Sequence, residues 1–239
     1  LIVISSTKYN IHPFLSLLLA ALAMGFIGGL DSNTLIGKIS EGFGGTLKSI
    51  GIIIAFGTII GAYLEKSGGA KAMADAVLNI VGEKKSALAM NITGFIVSIP
   101  VFCDSGFVIL STLNKALSKR TGIPLTVLAI ALGTGLYATH VFVPPTPGPL
   151  AAAATLGADL GLVLILGLIV AIPSAFAGLL WARYFGNKVE EKEIENEIIE
   201  QIDSKPGKGI SFAPIIIPIF LIALNSIAAY PSHPLGEGV

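Results

Sequence analysis

The stretch Thr139-His-Val-Phe-Val-Pro-Pro-Thr-Pro-Gly-Pro149 lies inside residues 121–158, a run of 38 without a formal charge. As one helix that run would measure about 57 Å, against a hydrocarbon core about 30 Å thick. Its prolines forbid such a helix anyway: each removes a backbone donor, clashes with the preceding turn and pushes the residue before it out of helical geometry. Pro144, Pro145, Pro147 and Pro149 therefore predict a span that breaks and continues as a re-entrant segment, with the irregular stretch near 144–158. An exposed polyproline turn between two spans is the alternative. The small, charge-free residues on both sides favour burial.

A second irregular stretch precedes it. Residues 87–113 hold a single formal charge, Asp104, within Ser98-Ile-Pro-Val-Phe-Cys-Asp-Ser-Gly-Phe107. The apolar residues after it, 107–113, make only about 10 Å of helix, too little to cross a bilayer. Asp104 is therefore expected within the membrane domain, mid-span or at the tip of a re-entrant hairpin. Pro100 and Gly106 predict unwinding between them, so that residues 98–107 form the first break. Irregular backbone at membrane depth is tolerated only where protein buries it or a wet cavity adjoins it. Asp104 then reads either as a proton or cation site or as a cap on the freed N–H groups of the second half-helix.

The composition agrees with a membrane setting. Of 239 residues, 53% are hydrophobic and 13% charged, where a soluble domain carries about 25%. The mean hydropathy is +0.83. Fifteen basic and fifteen acidic residues cancel, so no net field draws the chain to nucleic acid. One cysteine and three scattered histidines suggest no disulfide, metal site or cofactor. Six segments approach the length of a span: 14–30, 51–64, 87–113, 123–143, 160–181 and 210–230. Lysines and arginines in alternate connections number ten on one side and five on the other. By the positive-inside rule, Lys38, Lys115 and the region from Arg183 onward face the cytoplasm.

Residues 1–181 thus read as an all-α transmembrane bundle and 182–209 as a charged cytoplasmic connector, with a short amphipathic helix expected at 187–205. Residues 210–239 read as the first segment beyond it. Leu1-Ile-Val-Ile and the abrupt Val239 read as the ends of a piece of a longer chain.

Two helix breaks in one membrane chain point to a shared site. Half-helix N-termini present free N–H groups and positive dipole ends to an anion, and freed carbonyls can hold a cation. Candidate substrate groups are Ser105, Gly106, Thr139, His140, Thr146, Pro147 and Gly148, with Asp104 and His140 as candidate proton carriers. His140 is equally readable as a donor to an anion or as an interface histidine.

Gly42-Phe-Gly-Gly-Thr-Leu-Lys-Ser-Ile-Gly-Ile-Ile-Ile-Ala-Phe-Gly-Thr-Ile-Ile-Gly-Ala-Tyr-Leu-Glu-Lys-Ser-Gly-Gly-Ala70, Asp104-Ser-Gly-Phe-Val and the motif at 139–149 together resemble the gluconate permease family of bacterial sugar-acid/proton symporters. The resemblance covers nearly all of this chain and about the N-terminal half of a family member. It implies proton-coupled uptake of gluconate or a related small hydroxy-carboxylate across the bacterial cytoplasmic (inner) membrane. It also implies a multi-pass fold similar to the ion-transporter superfamily: inverted repeats, each with a re-entrant hairpin, of which this chain would carry one. Around the acid, Cys103-Asp104-Ser105 stands where the family pattern has an aromatic residue, Glu and a small apolar residue. D-serine, idonate and glycerate therefore stay open as substrates, Na+ as the coupled ion, and a homo-oligomer as the assembly. An intramembrane enzyme is the remote alternative; the chain has no paired aspartates, no His-Glu-x-x-His and no Gly-x-Ser-x-Gly.

Overall fold

The computed structural model describes residues 2–189 and 206–228, and every regular element among them is helical. They fall into two units, Leu1–Ile52 and Ile53–Val239. In the first, α1 (Ile2–Lys8) and α2 (Pro13–Ile27) precede α3 (Ser32–Thr46), which runs into a π-helical turn, Leu47–Gly51. Pro13 opens α2, where a missing N–H does no harm. Asp31 opens α3: its Oδ1 accepts the N–H groups of Asn33 and Thr34, both at 3.1 Å, two of the donors a helix start leaves orphaned. Residues 31–48, expected as a connection, are helical through most of their length because of this cap.

The second unit holds α4 (Ile52–Lys66), α5 (Gly69–Val81), α6 (Ser86–Val97), α7 (Cys103–Thr121), α8 (Leu125–Phe142), α9 (Pro147–Leu156), α10 (Leu160–Phe185) and α11 (Lys208–Ala228). Residues 65–86, also expected as a connection, contain α5. It lies between Gly68 and Gly82, whose φ of 74° and 85° suit glycine. Its Ala70, Met73, Ala74 and Val77 follow helical spacing and are buried. The expected connector is visible only at its edges. Residues 182–185 continue α10, and 190–205, with the expected amphipathic helix, lie outside the described residues.

α8 is the centre of this unit. Gly94 of α6 and Gly135 of α8 mark one crossing: a Cβ at Gly94 would stand 2.5 Å from the Leu132 carbonyl oxygen, and one at Gly135 would overlap the Asn91 carbonyl. On its other side α8 meets α10 antiparallel, with Gly167 against Phe142, Gly178 against Thr134 and Gly186, just past the end of α10, against Val127. In lipid, apolar tails supply no hydrophobic drive between helices, so close backbone packing and interhelical hydrogen bonds carry the association. Asn91 supplies such bonds. Its Nδ2 donates to the Ala131 carbonyl at 2.9 Å, to Thr134 Oγ1 at 3.2 Å and to the Ala175 carbonyl at 3.2 Å, joining α6, α8 and α10.

Among the described residues, three helical stretches are long and apolar enough to cross a membrane: Ser32–Lys66, Leu125–Leu156 and Leu160–Lys188. Leu162, Ile165, Ile169, Ile172 and Phe176 form an exposed apolar face on α10. At its end Trp181 stacks on Phe185 at 3.9 Å and Lys188 Nζ sits 4.1 Å over the Tyr184 ring. Aromatic rings beside a lysine are the composition of a membrane–water boundary.

Gly135→Ala overpacks the α6–α8 crossing and costs about 1–3 kcal/mol. Gly133→Ala, on the same helix, places its methyl an ordinary 3.7 Å from the Phe107 ring and is tolerated; thermal unfolding in detergent separates the two. Hydrogen bonds from Thr34, side chain and backbone, hold the exposed Asp31 carboxyl below its ordinary pKa. Its stabilisation of α3 is therefore complete above the unfolded value and lost as pH falls through the lower folded one. Hydrogen exchange over residues 32–46 should speed up in Asp31→Ala at neutral pH. In Asp31→Asn, which keeps a capping oxygen, it should stay slow and lose the acid dependence.

Candidate functional site

The first break follows from Pro100. α6 ends at Val97, residues 98–102 turn, and Phe102 starts α7, whose first bond runs from the Gly106 N–H to the Phe102 carbonyl at 2.9 Å. Helix thus resumes before Ser105 and Gly106. Gly106 is buried, and a Cβ there would stand 2.9 Å from Leu136 Cδ2; it serves packing and is not unwound. Asp104 lies in the first turn of α7, where the helix dipole favours a negative charge. Its carboxylate is exposed along a groove of about 370 Å³ between α7 and α8, lined by Cys103, Asp104 and Phe107 on one side and Gly133, Leu136 and Tyr137 on the other. The Cys103 thiol donates to Asp104 Oδ1 at 3.7 Å.

The second break follows from the proline cluster. α8 ends at Phe142, the Pro144–Pro145 peptide is cis, and Thr146 leads into α9. Thr146 is buried and its hydroxyl donates to the Val143 carbonyl at 2.7 Å. Pro144 and Pro149 are buried, Pro145 and Pro147 half-buried and Gly148 exposed. Because prolines carry no N–H, only Gly148 among the first three residues of α9 has one. The α9 start is therefore a poorer anion cradle than an ordinary helix N-terminus.

The two breaks meet. Residues 99–102 and 145–147 line one small cavity of about 20 Å³, roofed by Ile54 and Gly57 of α4. One turn along α4, Gly61 packs against the first break, where a Cβ would stand 2.8 Å from the Pro100 carbonyl oxygen. His140 lines neither this cavity nor the Asp104 groove but meets one residue of each. Its ring is edge-on to Phe102, which lines the cavity, at 6.1 Å, and to Tyr137, which lines the groove, at 6.5 Å. Its Nδ1 is buried without a hydrogen-bond partner, as is Ser98 Oγ at the start of the first break. Thr139 does not join them: its buried hydroxyl donates to the Phe95 carbonyl at 2.7 Å and ties α8 to α6. Among the described residues no group of three or more His, Cys, Asp or Glu is gathered as metal ligands would be.

Reading the sequence missed Tyr137 and the α4 contribution. Tyr137 carries no local signal, since one aromatic residue in an apolar helix is ordinary. For α4 the signal was present: Gly57-Thr-Ile-Ile-Gly61 has the small-residue spacing of close helix packing in membranes.

Comparison with known proteins places the chain in a family. The GntP family permease pattern matches residues 1–234. An uncharacterized permease of Haemophilus influenzae is 39% identical over 92% of this chain and 48% of its own length. A gluconate permease of Pseudomonas aeruginosa is 34% identical over 96% of this chain and 53% of its own. The D-serine transporter DsdX of Escherichia coli K12 is 35% identical over 95% and 52%. The chain spans about half the length of the curated relatives it matches. No solved structure matches. The relatives are named as permeases and transporters, not enzymes, and with the apolar helices they mark an integral membrane protein: the chain belongs to the GntP permease family.

Proposed function

We propose that this chain forms the first half of a secondary active transporter that takes up gluconate or a related small hydroxy-carboxylate together with a proton, across the bacterial inner membrane. The observation that supports it most is the meeting of the two helix breaks in one cavity, beside a groove holding the one carboxylate of the broken α6–α7 segment. Broken helices that converge on one point are how membrane transporters build a substrate site. The cavity has room for about one water, so substrate entry requires the breaks to move apart. An occluded site between two access states has this property.

In this reading Ser105, Thr146, Pro147 and Gly148 border the substrate, with the Gly148 N–H and the Thr146 hydroxyl as its polar contacts, while Gly106, first read as a substrate group, seats α7 on Leu136 of α8. Pro100, Pro144, Pro145 and Pro149 keep the breaks open. Asp104 carries the proton and His140 relays between groove and cavity. Thr139 positions α8 and reaches the substrate only if its bond to Phe95 is given up. Six spans, a multi-pass topology, a likeness to the ion-transporter superfamily, an inverted second repeat and the division at residues 182–209 belong to the same reading. The relatives leave two substrate classes, a sugar acid and D-serine, with Na+ as the alternative coupled ion.

Uptake of labelled gluconate by proteoliposomes holding the full-length protein, under an inward proton gradient without sodium, tests the reading. Accumulation that collapses with the gradient is expected; accumulation that requires sodium and ignores the proton gradient contradicts proton coupling. In Asp104→Asn, gradient-driven accumulation should fall to the level of empty vesicles while substrate exchange at equal pH persists. An Asp104→Asn protein that keeps full pH dependence removes the proton from Asp104.

A further inference from the structure

Ile54, Gly57 and Gly61 lie on one face of α4 by helical spacing, and that face lies over the two breaks. The two glycines differ. Gly61 is required by packing, because any Cβ would press on the Pro100 carbonyl. Gly57 is not: a Cβ there would meet nothing within 4 Å, and its φ is not among the positive ones. A glycine inside a helix is less favourable than an alanine, so neither packing nor backbone conformation accounts for it. What Gly57 does provide is space, since it lines the cavity between the breaks.

We propose that Gly57 determines specificity by setting the length of acid the site accepts. This inference rests on the reading of the cavity as the substrate site. With the carboxylate of a hydroxy acid held at the Thr146–Gly148 end, the rest of the molecule extends under α4. A side chain at 57 occupies the volume that a longer tail needs. Once the breaks have moved apart to admit substrate, a three-carbon acid does not reach the space beneath residue 57 and a six-carbon acid does, so the bare backbone at 57 admits the longer substrate. Ile54, one turn away over the same cavity, has the complementary role of closing one wall.

The test is proton-driven uptake of labelled gluconate and labelled glycerate, six and three carbons long, by proteoliposomes of the full-length protein and its Gly57→Ala, Gly57→Val and Ile54→Ala variants. The expected result is a ratio of gluconate to glycerate kcat/KM that falls in Gly57→Ala and further in Gly57→Val, by roughly tenfold or more in the latter. Ile54→Ala, which enlarges the cavity, should move the ratio the other way and guards against variants that merely fold poorly. Wild-type uptake with the ratio unchanged in all three variants overturns the role of Gly57 alone. A wild-type protein that accumulates neither acid overturns the proton-coupled hydroxy-carboxylate reading, on which this inference rests.

Discussion

Where α8 crosses α6 and α10 there is no room for a Cβ, and that constraint organises the second unit. Gly94, Gly135 and Gly167 let three helices meet backbone to backbone, Gly178 admits the Thr134 side chain, and Asn91 places one amide where carbonyls of α8 and α10 and the Thr134 hydroxyl converge. A buried amide in hydrocarbon without partners is costly, so Asn91 also fixes the rotation of α6 toward α8. Measured interhelical bonds of this kind average about 0.6 kcal/mol. Specification of register is therefore a larger part of its contribution than raw stability.

The tight bundle has a consequence at its ends. Because α6 and α8 are locked together, the point where each stops is locked too, and each stops for want of a proline N–H. The first break at residues 98–102 and the second at 143–146 lie where the bundle ends, and the cavity between them is inherited from the crossing. Rigid helices with irregular backbone at one end suit a site that must change shape, because the movement is confined to segments with few helical bonds to lose. His140 sits at the transition. It is half-buried in the last turn of α8, touching an aromatic ring on either side.

Much of this was legible in the sequence, for physical reasons. The prolines at 100 and 144–149 announce breaks because a missing N–H is a local property. The apolar runs announce helices because length and hydropathy are local too. The helical state of 31–46 and 69–81 was harder to see. Polar and charged residues in these stretches suggest connections, and their helicity depends on the Asp31 cap and on burial of the α5 face, a tertiary effect. Gly106 was misread for a similar reason: a glycine beside a break suggests unwinding, whereas its role is to admit Leu136 from α8. The exposure of Asp104 and the occupation of the Thr139 hydroxyl by Phe95 likewise depend on neighbours far away in the chain.

Thiol labelling shows whether the two breaks form one substrate site. In a Cys103→Ser background of the full-length protein, Ile99→Cys reports on the first break and Thr146→Cys on the second. If the site is shared, substrate slows labelling at both positions, each at a half-saturating concentration that matches that variant's own uptake KM. Protection at only one position, or at a concentration far from that variant's KM, would show two separate sites.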